Sequence, residues 1–292
     1  MGDAVSGVLL LDKPSGPSSN AVLQRARRLL GATRAGHTGT LDPLASGLLV
    51  ITLGEATKFS GSLLDADKAY RARVKLGERT ATGDAEGAIL SRSDVAVSES
   101  VLRAALERFR GEIEQVPPMY AALKHEGRPL YSYARRGESV ERAPRRVAIR
   151  RLDLEGFDGT TASLFVECSK GTYIRVLAED IGEALGCGAH LRALERVSVG
   201  PFALDRSIEL DALEAMAPPE RRGRLLPPQS LLDAWPRFRL GEDSTAKFRQ
   251  GRAVPIDLGD GSVAVFGDDE AFLGTGEVSG GKLQPKRLIA RS

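Results

Sequence analysis

Residues 36–53, GHTGTLDPLASGLLVITL, restrict the fold more than any other stretch. The run LLVITL has the length and β-branched content of a strand buried on both faces. The Gly/Thr cluster and the Asp-Pro step before it are turn chemistry. The segment therefore predicts a tight loop that feeds a core strand and carries a lone carboxylate, Asp42. Such a carboxylate is either a turn-former or a reactive group held on a rigid loop. The segment by itself leaves both readings open.

The rest of the chain supplies short strands separated by single helices. GVLLL near residue 7 reads as a buried strand. After DKPSGPSS come N-cap candidates Ser18, Ser19 and Asn20, then Val22, Ala26, Leu29 and Leu30 at helical spacing, with Gly31 as the stop. YRARVKLGERT alternates Tyr70, Ala72, Val74 and Leu76 with basic residues, which predicts a strand with one buried and one charged face. SVLRAALERFRG predicts a short amphipathic helix ending at Gly111. VAIRRLDLEGF and ASLFVECS predict two strands joined at Asp158-Gly159, and YIRVLAEDIGEALG predicts a helix with Ile174, Leu177, Ala178, Ile181 and Leu185 on one face. The order lacks a strict βαβ repeat, so the fold class expected is mixed α/β (α+β), with a central mixed or antiparallel sheet flanked by helices. Residues 217–236, rich in proline and charge, read as a linker or domain boundary. The glycine-punctuated apolar stretches after them predict a small β-rich module.

Composition removes several function classes. The chain of 292 residues is 42% hydrophobic and 27% charged. No apolar run approaches the roughly 20 residues that span a bilayer. The N-terminus lacks the pattern of a signal peptide, and its match to the M-G-x-x-x-S acylation letters is read as chance. Cys168 and Cys187 read as reduced thiols of a cytoplasmic protein. His37, His125 and His190 have no metal-ligand spacing. There is no GK[ST] loop and no GxGxxG before a helix. Charge is segregated: residues 121–151 hold nine Lys/Arg against three Glu, a local +6 in a chain of net +2, with Tyr131 and Tyr133 among them and Tyr120 beside them. Basic residues interleaved with aromatics suit a phosphate backbone and unpaired bases. If Asp42 is reactive it must stay ionised while shielded from water. Burial can raise a carboxyl by up to about 3–5 pH units and a neighbouring arginine can lower it by about 1–3. Arg175, early on an otherwise apolar helix, is a candidate neighbour. The residues alone thus point to an RNA or DNA binder with at most one catalytic carboxylate and no cofactor.

GHTGTLDPLASGLL followed by LGEATKFS resembles the catalytic motif of the TruB family of tRNA pseudouridine synthases. LLLDKPSGPSS is similar to the family's N-terminal motif, KAYRARVKLGERTATGDAEG to its tyrosine motif, and VPPMYAALKHEGRPLYSYARRG to its RNA-clasping insertion. CSKGTYIRVLAEDIGEALGCGAHLRALERV is similar to its arginine-and-leucine motif. The resemblance implies a pseudouridine-synthase domain over residues 1–229, an insertion at about 117–147, and a PUA-like RNA-binding domain over 230–292. It implies that Asp42 is the catalytic aspartate, that Arg175 is its ion-pair partner, and that Tyr70 stacks on the target uracil and acts at its C5 proton. His37 would contact the flipped-out RNA, Lys13 and Pro14 would support the floor of the site, and Leu194 would line the uracil pocket. Asp84 would position the substrate or the nearby loop. Arg135, Arg136, Arg145 and Arg146 of the basic segment are the expected phosphate contacts. The implied reaction is isomerisation of uridine 55 in the T loop of tRNA by a monomer that needs neither cofactor nor protein partner. The alternatives are a non-catalytic RNA-binding protein or tRNA-folding chaperone on the same fold and, behind it, an RNA-guided synthase in a larger particle.

Overall fold

Continuous and alternating apolar runs sort into two sheets in the protein, here a computed structural model that describes residues 5–121, 123–134 and 136–290. Arg135 and the first four residues, with their acylation-like letters, lie outside the described residues. The larger, ten-stranded sheet takes in β1 (Gly7–Lys13), β2 (Ala35–His37), β3 (Ser46–Leu53), β4 (Lys68–Leu76), β5 (Gly111–Gln115), β6 (Arg145–Phe157), β7 (Thr161–Cys168), β8 (Ala189–Val199), β9 (Phe202–Ala203) and β10 (Ile208–Glu209). Its spatial order is β10-β1-β3-β8-β4-β7-β6-β5, with β2 beside β3 and β9 beside β8. Most neighbours are antiparallel, while β8 runs parallel to β3 and β10 parallel to β1. This is the mixed α/β class expected from the sequence.

The patterns of the strands follow what covers them. Three helices pack on the sheet: α1 (Ser19–Leu30), α2 (Glu99–Leu106) and α3 (Ile174–Ala184). Helix α1 starts where the Ser18 hydroxyl accepts from the Ala21 N–H, and it stops at Gly31 with φ 68°. Its Val22, Leu23, Ala26 and Leu30 lie on Leu9 and Leu11 of β1 and Leu49 and Ile51 of β3. The opposite faces of those two strands, Val8, Leu10, Leu48 and Val50, meet Phe59, Leu63, Leu231 and Leu232. Being covered on both sides, β1 and β3 are uninterrupted apolar runs. Strand β4 is covered on one side, where Val74 and Leu76 pack with Ile174, Leu177 and Ile181 of α3. Arg71 and Arg73 on its other side are exposed, hence the alternation.

The C-terminal module is a five-stranded sheet of β11 (Arg237–Arg239), β12 (Val254–Pro255), β13 (Gly261–Phe266), β14 (Phe272–Ser279) and β15 (Lys282–Leu288), ordered β11-β13-β14-β15-β12. Phe266 and Phe272 of this sheet join the apolar cluster under β1 and β3. The segment at 217–236, expected to be a linker or domain boundary, lies in sequence between the two sheets and is a packed strap. It contains a short helix, Pro218–Gly223, and a 3-10 turn, Pro228–Leu232; Leu226 bonds to Val8, and Leu231 and Leu232 are buried. Its prolines punctuate turns, and its paired leucines anchor them. The helix expected to end at Gly111 ends at Leu106, continues as a 3-10 turn to Phe109, and Gly111 opens β5.

Gly47 is the residue on which the approach of β8 to β3 turns. It has φ +98°, and a Cβ there would lie 2.4 Å from the Arg196 carbonyl oxygen. Gly47→Ala is expected to cost roughly 2–4 kcal/mol from backbone strain and overpacking. Urea unfolding of the two proteins measures it, and a destabilisation below about 0.5 kcal/mol, the range of neutral surface changes, would contradict the close approach.

Candidate active site

The loop that carries Asp42 is held from below by the segment that follows β1. Lys13, fully buried, donates through Nζ to the carbonyls of Pro14 (2.9 Å), Pro43 (3.4 Å) and Ala45 (2.7 Å). The Ser15 hydroxyl donates to Leu44 O at 2.9 Å, and the Gly16 N–H to Pro43 O at 2.8 Å. Ser19 grips Leu41 twice: its hydroxyl donates to Leu41 O (2.7 Å) and accepts from Leu41 N (2.8 Å). DKPSGPSS thus satisfies the polar groups of LDPLA residue by residue, and the Asp42 loop is fixed on both flanks. Burial pulls the Lys13 ammonium down to about 8, while Asp42 supports its charge.

Arg175, the second residue of α3, places its guanidinium over that loop. Nη2 lies 3.0 Å from Asp42 Oδ2 and donates to Tyr120 O at 2.6 Å; Nη1 donates to Thr82 O at 3.1 Å; Nε faces Asp84 Oδ2 at 3.7 Å. The Arg175 and Asp84 side chains are only 6% and 5% exposed, whereas that of Asp42 is 43% exposed and opens into a pocket. Burial pushes the Asp42 carboxyl above its ordinary range, Arg175 pulls it back, and Asp84 pushes it further up. The helix that presents Arg175 lacks a side-chain cap of its own. Gln115 of β5 instead fixes the N-cap residue itself, accepting from Tyr173 N and donating to Tyr173 O. Asp84 is fixed in turn, accepting from the Thr82 hydroxyl and the Glu86 N–H.

The pocket above Asp42 has a volume of about 270 Å³, and its walls include Lys68, Tyr70, Tyr173, Arg175, Leu194 and Arg196. Five of the twelve residues singled out from the sequence gather here: Asp42, Tyr70, Arg175 and Leu194 line the pocket, and Asp84 backs Arg175. Lys13 lies beneath the loop. Pro14 is exposed and borders a separate recess with Asp12 and Glu209. His37 sits at the end of β2, half-buried and outside the pocket wall; burial and Arg196 push its imidazole below the usual range, and Nδ1 has no hydrogen-bond partner among the described residues. Arg136, Arg145 and Arg146 are exposed, Arg136 doubly bonded to Glu138 and Arg146 3.9 Å from Glu114. Arg135 lies outside the described residues. The Cys168 thiol is pushed up to about 12 by burial, which makes it a poor nucleophile. Among the described residues no group of three or more His, Cys, Asp or Glu is placed to hold a metal ion, and no helix is long and apolar enough to cross a membrane.

Sequence reasoning missed Arg196, Lys68 and Ser19. Arg196 carried no local signal: Arg192, of the same strand parity, is exposed, and the irregularities of β8 break the alternation that would have told the two apart. Ser19 read only as a helix cap, because its bond to Leu41 spans 22 residues. The Arg175 arrangement also makes a prediction about stability. Arg175→Met leaves Asp42 and Asp84 facing each other without their cation and is expected to cost roughly 3 kcal/mol at pH 7. The Asp42 carboxyl would then lie further above its unfolded value, so the variant regains stability as pH falls and Asp42 takes up a proton. Urea unfolding at pH 7 and pH 5 should show the deficit shrink; an equal deficit at both would refute the charge argument.

This geometry can be set beside known proteins. Residues 27–174 match the TruB family pseudouridylate synthase N-terminal domain, 175–232 the tRNA pseudouridylate synthase B C-terminal domain, and 236–289 the C-terminal domain of pseudouridine synthase II TruB. A tRNA pseudouridine synthase B of an Azoarcus species is 56% identical over 98% of this chain and 95% of its own length. The protein of that name from Thiobacillus denitrificans is 55% identical over 98% of this chain and 97% of its own. Among solved structures, a chain of a Cbf5-Nop10-Gar1 complex superposes with a TM-score of 0.75 at 27% identity, covering 97% of this chain and 84% of that one. The chain belongs to the TruB family of pseudouridylate synthases.

Proposed function

We propose that this chain isomerises uridine 55 in the T loop of tRNA to pseudouridine, with Asp42 as the catalytic carboxylate. That the chain is a tRNA pseudouridine synthase, an isomerase, follows from relatives of that name at 54–56% identity over nearly its whole length. The observation that carries the choice of residues is the Asp42–Arg175 pair at 3.0 Å, opening into a pocket walled by Tyr70 and Leu194. In the reaction the N1–C1′ bond of uridine breaks and a C5–C1′ bond forms; C5 loses a proton and N1 gains one. Atoms and electrons balance within the substrate, so the proposal calls for no cofactor. The uracil must leave its stack to reach the pocket, at a cost of about a few kcal/mol. In this reading Tyr70 stacks on the base, Leu194 shapes its slot, Asp84 steadies Arg175, Lys13 and Pro14 support the loop from below, and His37 meets RNA at the rim.

The same reading assigns the periphery to RNA. The insertion at about 117–147 carries Tyr120 and Tyr131, 36% and 41% exposed, and a Lys124–Pro129 hairpin turning at Glu126 and Gly127. Arg135, Arg136, Arg145 and Arg146 would meet phosphates, with residues 230–292 as a second, PUA-like RNA-binding domain beside the catalytic domain of 1–229. The protein acts as a cytoplasmic monomer without an obligate protein partner.

The decisive test incubates unmodified tRNA transcript with the purified protein and analyses the digested nucleosides. Wild type should form pseudouridine at position 55 and Asp42→Asn none, while both bind tRNA. Tight binding without product from either would favour the chaperone reading. Replacing Arg135, Arg136, Arg145 and Arg146 together by Gln should weaken tRNA binding and flatten its salt dependence, by up to ~0.7–0.9 in log–log slope for each phosphate that the variant no longer neutralises. An unchanged slope would remove the basic segment from the RNA interface.

A further inference from the structure

Arg196 is the largest fully buried side chain among the described residues, 2% exposed, and nothing in the reaction as set out above uses it. Among those residues it has no carboxylate partner. A buried guanidinium without an anion is costly, so its surroundings should explain its presence. Nε donates to Leu48 O at 2.8 Å and Nη2 to Gly39 O at 3.0 Å, which ties β3 to the loop that leads to Asp42. Across the ladder, Arg196 on β8 stands directly opposite Tyr70 on β4 and Gly47 on β3. The Tyr70 side chain is thus its cross-strand neighbour, and both side chains are buried and line the pocket above Asp42.

A guanidinium has donors only. Where a guanidinium meets a phenol, the phenol oxygen must accept, and its own hydrogen then points away from the cation. We propose that Arg196 is a positioning residue for Tyr70: by donating to the phenol oxygen it turns the hydroxyl hydrogen into the pocket, toward the base bound there. The inference rests on the uridine-isomerase reading and extends it to a residue which that reading leaves without a role. The electrostatics agree in direction. Burial raises the Tyr70 phenol, Arg196 is the strongest opposing influence, and Cys168 of β7 and Asp42 push it further up. Lys68, on the same strand, and Arg175 are the other cations on the pocket wall. Both Lys68 and His37 are lowered by Arg196, so its charge is felt throughout this side of the site. A purely architectural role, stitching Gly39 to Leu48, would make the effect of removing Arg196 independent of the Tyr70 hydroxyl.

Two measurements separate these roles. The first is a double-mutant cycle on single-turnover pseudouridine formation with wild type, Arg196→Lys, Tyr70→Phe and the pair. Arg196→Lys keeps a charge and a donor, and thermal melting checks that the fold is kept. It should slow the step at saturating tRNA about tenfold or more, since a misplacement of ~1 Å can cost about a hundredfold. Its tRNA affinity should stay within about threefold, and in the Tyr70→Phe background it should cost less than about threefold, as expected for coupled sites. Equal losses in both backgrounds overturn the proposal. The second is ultraviolet titration of the Tyr70 phenolate, taken as the difference between each protein and its Tyr70→Phe counterpart. In Arg196→Gln, ionisation should move up by about 1–3 pH units, and an unmoved titration overturns the proposal. The titration needs no catalysis and decides alone if Tyr70→Phe forms no product. A wild type that makes no pseudouridine while the titration still depends on Arg196 would sink the isomerase reading and leave the positioning contact standing.

Discussion

The site depends on one guanidinium buried between two carboxylates. Arg175 is reached by Asp42 at 3.0 Å and faces Asp84 at 3.7 Å, and its remaining donors go to the carbonyls of Thr82 and Tyr120. Such an arrangement is weak as a source of stability, because taking Arg175 and Asp84 out of water costs about what the attraction returns. Its value is geometric. It brings together the Asp42 loop, the turn at 82–87, the start of α3 and, through Tyr120, the segment that leads into the basic insertion. It also opposes the effect of burial on Asp42, the carboxylate that is open to the pocket.

A site with one such carboxylate tolerates little play, and the chain provides the stiffness at several levels. Lys13, Ser15, Gly16 and Ser19 occupy the backbone polar groups around Asp42 from one side. Arg196 holds Gly39 and Leu48 from the other. Gly47 lets β8 come close enough for that contact. The Asp42 loop is therefore fixed in position, as a loop that presents a reacting group would have to be. Polar residues near the site, such as Lys13 and Arg196, are bonded mostly to carbonyls and serve placement.

Much of this was legible in the sequence because local rules carry it. The alternation Tyr70–Leu76 gave the half-covered strand β4, the spacing from Val22 to Leu30 gave α1 with its Ser18 cap and Gly31 stop, and Asp42 stood out as a carboxylate in apolar surroundings. The misreadings have a common physical cause, contacts distant in sequence. The strap at 217–236 looked like a linker by composition, and only packing against β1 and the C-terminal sheet buries Leu231 and Leu232. Arg196 sits opposite Tyr70 through a ladder register that joins residues far apart in the chain. Arg175 could be nominated from chemistry, but its distance to Asp42 depends on how α3 seats on the sheet and on the Gln115 bonds that fix Tyr173. Pro14 and His37, named by resemblance, lie beside the pocket and not in its wall, a distinction a motif does not encode.

The central claim is that Arg175 keeps a shielded Asp42 ionised for the reaction. The pH dependence of single-turnover pseudouridine formation tests it most directly, in wild type and in Arg175→Gln at saturating tRNA. Loss of the cation should raise the Asp42 carboxyl, so the acid limb of the profile should move to higher pH by about 1–3 units. It should do so together with a fall in rate at neutral pH. An acid limb that stays in place, or a rate near that of wild type, would mean that the Asp42 charge does not depend on Arg175 and would contradict the account.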